Sequence, residues 1–324
     1  DLAGNLDPAR ASYTWTITTA LTGPVTVTAS AGTPGPTDYP TVKDAFDAIN
    51  AGTHQGDIIV NVVTNTTEIA SAVLNSSGAG SASYTSVLVR PYNDGVTVSG
   101  PTLQGRGLIE LNGADNVAID GDNPNTPGVN RNLTLQNTAA NTVTFTSVVR
   151  IAMATTVVTS ADNDTIKNLN LVGNATGRNI AGATSTTGTE NTTFGILAGP
   201  GASTVSATTA PSAITSVSTS VGSGATASNL LVNNNSIVTA ARGVSVNGSA
   251  TTVFPGVQIT ANDIGNPTIA SADQVTSIGI TAQGSSNGFI AANNVWVEGY
   301  VASSAATHGI NVGDRLRVYE SFHG

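Results

Sequence analysis

A short phrase recurs along the middle of the chain, and recurrence of this kind admits few folds. The phrase is a glycine, an apolar/polar alternation, then Gly or Asn. It reads Gly107-Leu-Ile-Glu-Leu-Asn-Gly113, Gly243-Val-Ser-Val-Asn-Gly248, Gly279-Ile-Thr-Ala-Gln-Gly284 and Gly309-Ile-Asn-Val-Gly313. Looser copies are Val149-Arg-Ile-Ala-Met153 and Gly195-Ile-Leu-Ala-Gly199. Asn-rich phrases follow, among them Asn116-Val-Ala-Ile-Asp-Gly121, Asn168-Leu-Asn-Leu-Val-Gly-Asn174 and Asn229-Leu-Leu-Val-Asn-Asn-Asn235.

Alternation with period two is a strand with one buried face. The bounding Gly and Asn tolerate left-handed backbone angles and are read as corners. No helix-length apolar pattern separates the phrases, which excludes crossover helices and a doubly wound sheet. Strand and corner in repetition predict an all-β chain: the coils of a parallel β-solenoid, each coil burying its neighbour's inner face. The copies are spaced by roughly 30–48 residues, against ~20–45 for common repeat units. The surplus predicts loops leaving one corner, above all the Ser/Thr/Ala/Gly-rich run 181–227, broken only at Phe194 to Leu197. Stacked corners also place asparagines over one another. Their amides are expected either to form ladders, as in other stacked β structures, or simply to serve turns.

The ends differ from the middle. Residues 1–35 read as an extended β arm and linker, with strand-like alternation at Tyr13-Thr-Trp15-Thr-Ile17 and Val25-Thr-Val27 around Gly23-Pro24. The arm either packs along its own chain or adds to a neighbouring subunit. Residues 41–50 predict the one clear helix: Val42, Ala45, Phe46 and Ile49 share a face, Asp44 sits in the first turn and Thr41 is the N-cap. Such a helix would cover the open end of the first coil. The solenoid then spans 36–313. Residues 314–324 form a strand-like tail in which Leu316, Val318, Tyr319 and Phe322 are candidate joining residues, with Tyr13, Trp15, Ile17, Val25 and Val27 at the other end.

Composition narrows the function. Charged residues are 10%, against ~25% in a typical domain, and net charge is −9. A basic face for nucleic acid is not expected. Cysteine is absent, which excludes disulfides, thiol catalysis and cysteine metal sites. No apolar run approaches the ~20 residues of a membrane-spanning helix. The start at Asp1, the low Lys content and the abundance of Thr and Asn lead us to expect a secreted, cell-surface protein.

Four stretches carry a family resemblance: Tyr39-Pro-Thr-Val-Lys-Asp-Ala-Phe-Asp-Ala-Ile-Asn-Ala-Gly52, Val62 to Glu68, Ser76 to Ser86 and Leu111-Asn-Gly-Ala-Asp-Asn-Val-Ala-Ile-Asp-Gly121. They resemble the right-handed parallel β-helix, or pectate-lyase-like, regions of large secreted surface proteins of Bacteroidetes-type bacteria. The resemblance covers about residues 36 to 310 of this chain. It implies a right-handed coil and a surface, adhesion or matrix role. Because that superfamily includes polysaccharide lyases and hydrolases, it also implies that acid clusters must be weighed as catalytic sites.

Asp115, Asp120 and Asp122 are the densest acidic cluster, and with Arg150 they form the set a lyase or hydrolase would use. Asp120-Gly-Asp122-Asn-Pro-Asn125 has the oxygen chemistry of a calcium loop, but the same residues mark an ordinary turn, and the turn is the preferred reading. Asp162 and Asp164 form a second pair in another expected turn. Arg150 lies on a strand phrase, and no acidic partner is evident one coil away. His54, His308 and His323 fit no metal-ligand spacing. Trp296 and Tyr300 are the aromatic pair best placed for a sugar. No catalytic constellation is assigned. The expected function is a secreted structural protein whose terminal segments join copies head to tail into a filament, sheath or surface layer. The alternatives are a carbohydrate-binding adhesin and, behind it, a polysaccharide lyase or hydrolase.

Overall fold

A computed structural model describes residues 21–153, 160–174, 193–200, 211–214, 225–268, 273–297, 308–312 and 317–319. The chain is mostly β, built on parallel sheets, with one helix among the described residues. Strand β1 (Val25–Gly32) pairs antiparallel with β2 (Thr37–Tyr39) on one side and β3 (His54–Val62) on the other. Val25 stands opposite Val62 and Val27 opposite Val60. Both valines are fully buried. They are therefore used in this chain's own sheet and core, not held out as joining residues. Tyr13, Trp15, Ile17, Leu316 and Phe322 lie outside the described residues.

The helix forms where the sequence places it. Helix α1 (Val42–Asn50) buries Val42, Ala45, Phe46 and Ile49, and the Thr41 hydroxyl accepts from Asp44 N at 3.1 Å. Full burial of a side chain such as Phe46 contributes about 1.5–3 kcal/mol. The helix N-terminus has a second partner that local reasoning missed. The buried Glu68 carboxylate accepts from Val42 N at 3.1 Å and Lys43 N at 2.9 Å, satisfying donors that a helix leaves unpaired. At the other end, the Asn50 amide donates to Val73 O at 2.8 Å and accepts from Asn75 N at 2.9 Å. The helix thus closes a strand edge as well as an apolar core.

From β3 onward the chain makes circuits of three strands. The first is β3, β4 (Thr66–Thr67) and β5 (Ala72–Asn75). Next come β6 (Tyr84–Pro91), β7 (Val96–Gly100) and β8 (Gly107–Asn112), then β9 (Val117–Asp120), β10 (Leu133–Asn137) and β11 (Ser147–Met153). The fourth circuit is β12 (Thr165–Lys167), β13 (Leu169–Val172) and β14 (Phe194–Pro200); the fifth is β15 (Leu231–Asn233), β16 (Ser236–Val238) and β17 (Ala240–Asn247). After β18 (Phe254–Pro255) the sixth runs through β19 (Gln258–Thr260), β20 (Asp263–Ile264) and β21 (Val275–Gln283). After β22 (Ser285–Ser286) follow β23 (Phe289–Ala291), β24 (Asn294–Val295), β25 (His308–Val312) and finally β26 (Arg317–Tyr319). Corresponding strands of successive circuits pair in parallel; with the antiparallel β1 and β2 at its edge the first sheet has 10 strands, and the second and third have 7 each. From β3 onward no helix lies between strands among the described residues.

In-register pairing stacks like on like. In the first sheet Ile119, Ile166, Val232, Ile259 and Ile290 follow one another in register, all buried. The corners fall on the expected asparagines. Asn116, Asn163 and Asn229 all have φ near +60° and their amides chain together, Asn163 Nδ2 to Asn116 Oδ1 at 3.2 Å and Asn229 Nδ2 to Asn163 Oδ1 at 2.9 Å. Inside the next corner Asn235, Asn262 and Asn293 form a buried ladder. Both readings of the asparagines, turn and ladder, hold at once.

The leading glycines of the recurring phrase act differently from the reading above. Gly195, Gly243 and Gly279 do not have positive φ. A Cβ at these positions would overlap Ile237 Cγ2, Ile264 Cγ2 and Val295 Cγ1 of the second sheet. They are glycine because the opposite sheet presses on them, not because the chain turns there.

Candidate functional site

The third sheet carries the most unusual side chains. Along β8 and β11 both faces are buried, in contrast to the alternating burial of β10 and β13 in the second sheet. Arg150 on β11 stands in register with Glu110 on β8, and the two are 1% and 0% exposed. Arg150 Nη1 lies 3.5 Å from Glu110 Oε1. Arg106 reaches the same carboxylate, with Nε 2.9 Å from Oε1 and Nη2 bonded to Oε2. Gly107 N adds a bond to Oε1 at 2.7 Å. The carboxylate raises the Arg106 pKa, while burial lowers that of Arg150 and the nearby Arg106 charge adds to the lowering. Arg150 thus has an acidic partner one circuit away, contrary to the sequence expectation. The signal was available: aligning Gly107-Leu-Ile-Glu110 with Val148-Val-Arg150 by register puts Glu110 beneath Arg150.

Arg150 also holds chain that arrives from far along the sequence. Nη1 donates to Gly105 O at 3.0 Å and Nη2 to Ser212 O at 2.7 Å. Ile214 N donates to Gly105 O at 3.1 Å. Residues 211–214 are therefore clasped against the Gly105 turn. The guanidinium is occupied by protein acceptors in a buried setting, which is an anchoring role rather than that of a catalytic base.

The acids proposed as its catalytic partners are elsewhere. Asp115 precedes β9 and Asp120 ends it, so they occupy different corners. Asp115 Oδ1 accepts from Asp162 N at 2.7 Å. Asp120 Oδ1 accepts from Asn168 Nδ2 at 2.7 Å and from Asp122 N at 3.1 Å, and Lys167 Nζ is 3.1 Å from Oδ2. Asp122 accepts from Asn130 N at 2.8 Å. The structure does not bring Asp115, Asp120, Asp122 and Arg150 into one groove, and the oxygens of Asp120 and Asp122 serve a turn. Among the described residues, no group of three or more His, Cys, Asp or Glu is placed to hold a metal ion. His54 is buried, with Nδ1 2.7 Å from Thr33 O and Nε2 2.7 Å from Tyr39 Oη. A carbonyl can only accept, so Nδ1 donates to Thr33 O.

Asp164 is the surprise of the second acid pair. It is fully buried; Oδ1 accepts from Val117 N at 2.9 Å, and Oδ2 has no hydrogen-bond partner among the described residues. Burial pushes its pKa well above the usual carboxylate range, and the charges of Asp115 and Asp162 add to the rise. Trp296 is half-buried, and its backbone N donates to Ile264 O at 2.8 Å. Tyr300 lies outside the described residues. Val318 and Tyr319 belong to β26, which pairs with β23 of the same chain.

One open concavity of about 450 Å³ lies beside the N-terminal helix. Its lining includes Val73 of β5, Lys43 and Asp47 of α1, and Leu103 and Arg106 of the next circuit. Ile69 and Leu103, at its rim, are 85% and 75% exposed. Sequence reading passed over both because each sits in an unpatterned loop between strands.

No family model matches the chain, and no curated protein matches it in sequence. The resemblance to bacterial surface proteins therefore has no support at the sequence level. Two solved structures are similar. Escherichia coli ybhc is 15% identical, with 98% of this chain and 78% of that chain covered, at a TM-score of 0.42. An alginate lyase from Paenibacillus sp. str. FPU-7 is 15% identical, with 84% and 98% covered, at a TM-score of 0.24. Neither likeness bears on what this chain does. No helix among the described residues is long and apolar enough to cross a membrane.

Proposed function

We propose that the chain is a right-handed parallel β-helix serving as a secreted structural protein, assembled through its terminal segments into a filament, sheath or surface layer at the cell surface. The observation that carries this reading is the difference between its two ends. At the N-terminal end β1 and β2 cover the first sheet and α1 covers β5. At the other end β24, β25 and β26 each pair in parallel with one earlier strand, β20, β21 and β23. Strand edges can recruit further strands, and a contact between unlike ends propagates into an open filament. In-register stacking and asparagine ladders would continue across such a joint without new chemistry.

The buried β1 decides how the reading is tested. Removal of residues 1–30 would strip Val25 and Val27 from the core, so the informative variant lacks residues 1–20 only. Full-length protein is expected to form regular filaments or sheets in negative-stain electron microscopy, and the 1–20 deletion to stay folded as single particles. Dispersed single particles from the full-length protein at every concentration would overturn the proposal.

A further inference from the structure

The geometry points to a binding site for an aliphatic carboxylate in the concavity beside α1, with the apolar chain held between Ile69 and Leu103 and the carboxylate on Arg106. The inference stands on the lining of that concavity and is independent of the assembly reading.

Three observations support it. First, single exposed apolar side chains are common, but two around one cleft form an apolar patch. Among the described residues four large hydrophobics are exposed, and two of them, Ile69 at 85% and Leu103 at 75%, border the same cleft. Its volume of about 450 Å³ falls within the range of small-molecule sites, which are mostly apolar with a few fixed polar groups. Val73 continues the apolar lining.

Second, the polar group at the cleft is a pre-set cation. The Arg106 side chain is 20% exposed, and its Nε and Nη2 are fixed by Glu110. Nη1 has no partner among the described residues. Glu110 also faces Arg150 at 3.5 Å, so one carboxylate is shared between two guanidiniums. Arg106 is thus held rigidly by Glu110. A planar guanidinium with a free edge suits a carboxylate. Lys43 in the same lining is bridged to Asp47 at 2.5 Å and adds a second, neutralised pair.

Third, the cleft does not offer what a peptide strand needs. An added strand gains affinity from main-chain hydrogen bonds to an open edge. At β5 that edge is closed, because Asn50 takes Val73 O and Asn75 N. A ligand without backbone polar groups fits this cleft, and a fatty-acid-like chain is such a ligand.

Isothermal titration of the full chain with octanoate, octanol and octylamine tests the assignment. Octanoate is expected to bind saturably, octanol at least tenfold more weakly and octylamine not measurably. Hexanoate should bind about fourfold more weakly for each methylene removed. The double variant Ile69→Ser/Leu103→Ser alters exposed side chains only. It is expected to keep the wild-type unfolding temperature and lose at least tenfold in octanoate affinity. Arg106→Gln should remove the preference for octanoate over octanol. Absence of saturable octanoate binding, equal binding by the double variant, or tighter binding of an acetylated peptide ending in leucine would each overturn the assignment.

Discussion

Asn235 Nδ2 donates to Asn262 Oδ1 at 2.9 Å, and the backbone N of Asn235 donates to the same oxygen at 3.0 Å. Asn262 Nδ2 in turn donates to Asn293 Oδ1 at 2.9 Å, so a buried side chain of one circuit serves the backbone and side chain of the previous one. This ladder joins circuits where the corner leaves the sheet pairing, and it does so without charge.

Asn262→Ala takes the side-chain acceptor from two donors of Asn235 and the amide donor from Val232 O in a buried corner, while Asn293 Oδ1 keeps only the backbone N of residue 262. Each unsatisfied buried group costs about 1–3 kcal/mol. The expected result is a loss of several kcal/mol in urea unfolding with little change in the native circular dichroism. A loss below that of a single hydrogen bond would show that water fills the gap.

Glu110→Ala removes the one carboxylate shared by Arg106 and Arg150. Breaking a buried ion pair by deleting one partner costs about 3–5 kcal/mol, because a charge is left buried. We expect the melting temperature to fall sharply and the 211–214 segment to exchange amide hydrogen faster, since Arg150 also holds Ser212 O. Glu110→Gln should fall between the variant and the wild type.

Asp164 governs the pH response. Burial raises its folded pKa above the unfolded value of about 3.9, so the folded state binds the proton more tightly. Its contribution is fully present below the unfolded pKa and is lost as pH rises through the folded pKa. Burial raises Asp115 and Glu68 in the same direction. Unfolding free energy measured in urea should therefore decline from pH 4 toward neutrality. Asp164→Asn keeps an oxygen for Val117 N and should flatten part of that slope; an unchanged slope would clear Asp164 of the effect.

Gly105 has φ +74°, and a Cβ there would overlap the Ile214 backbone. Gly105→Ala is expected to detach residues 211–214 while the three sheets persist. Limited proteolysis would detect this as new cleavage near Ser212, at a melting temperature lowered by only a few degrees. Global unfolding instead would mean that the clasp is required by the sheets themselves.

The recurring phrases were enough to establish strands and corners, because period-two alternation and left-handed asparagines are local properties. Helix α1 was legible for the same reason: its cap, acidic first turn and apolar face lie within ten consecutive residues. Three things required the tertiary structure. The division of the Asn-rich phrases between two sheets depends on strands as short as Thr66–Thr67 and Asp263–Ile264, too brief to show a period. The leading glycines are dictated by side chains across the core, such as Ile237 against Gly195, which no local pattern encodes. The partnership of Arg150 with Glu110, and its grip on Ser212 62 residues away, arises from register and chain return. Sequence sets what each residue can do locally; which side chains meet in the dry interior is decided by how the circuits stack.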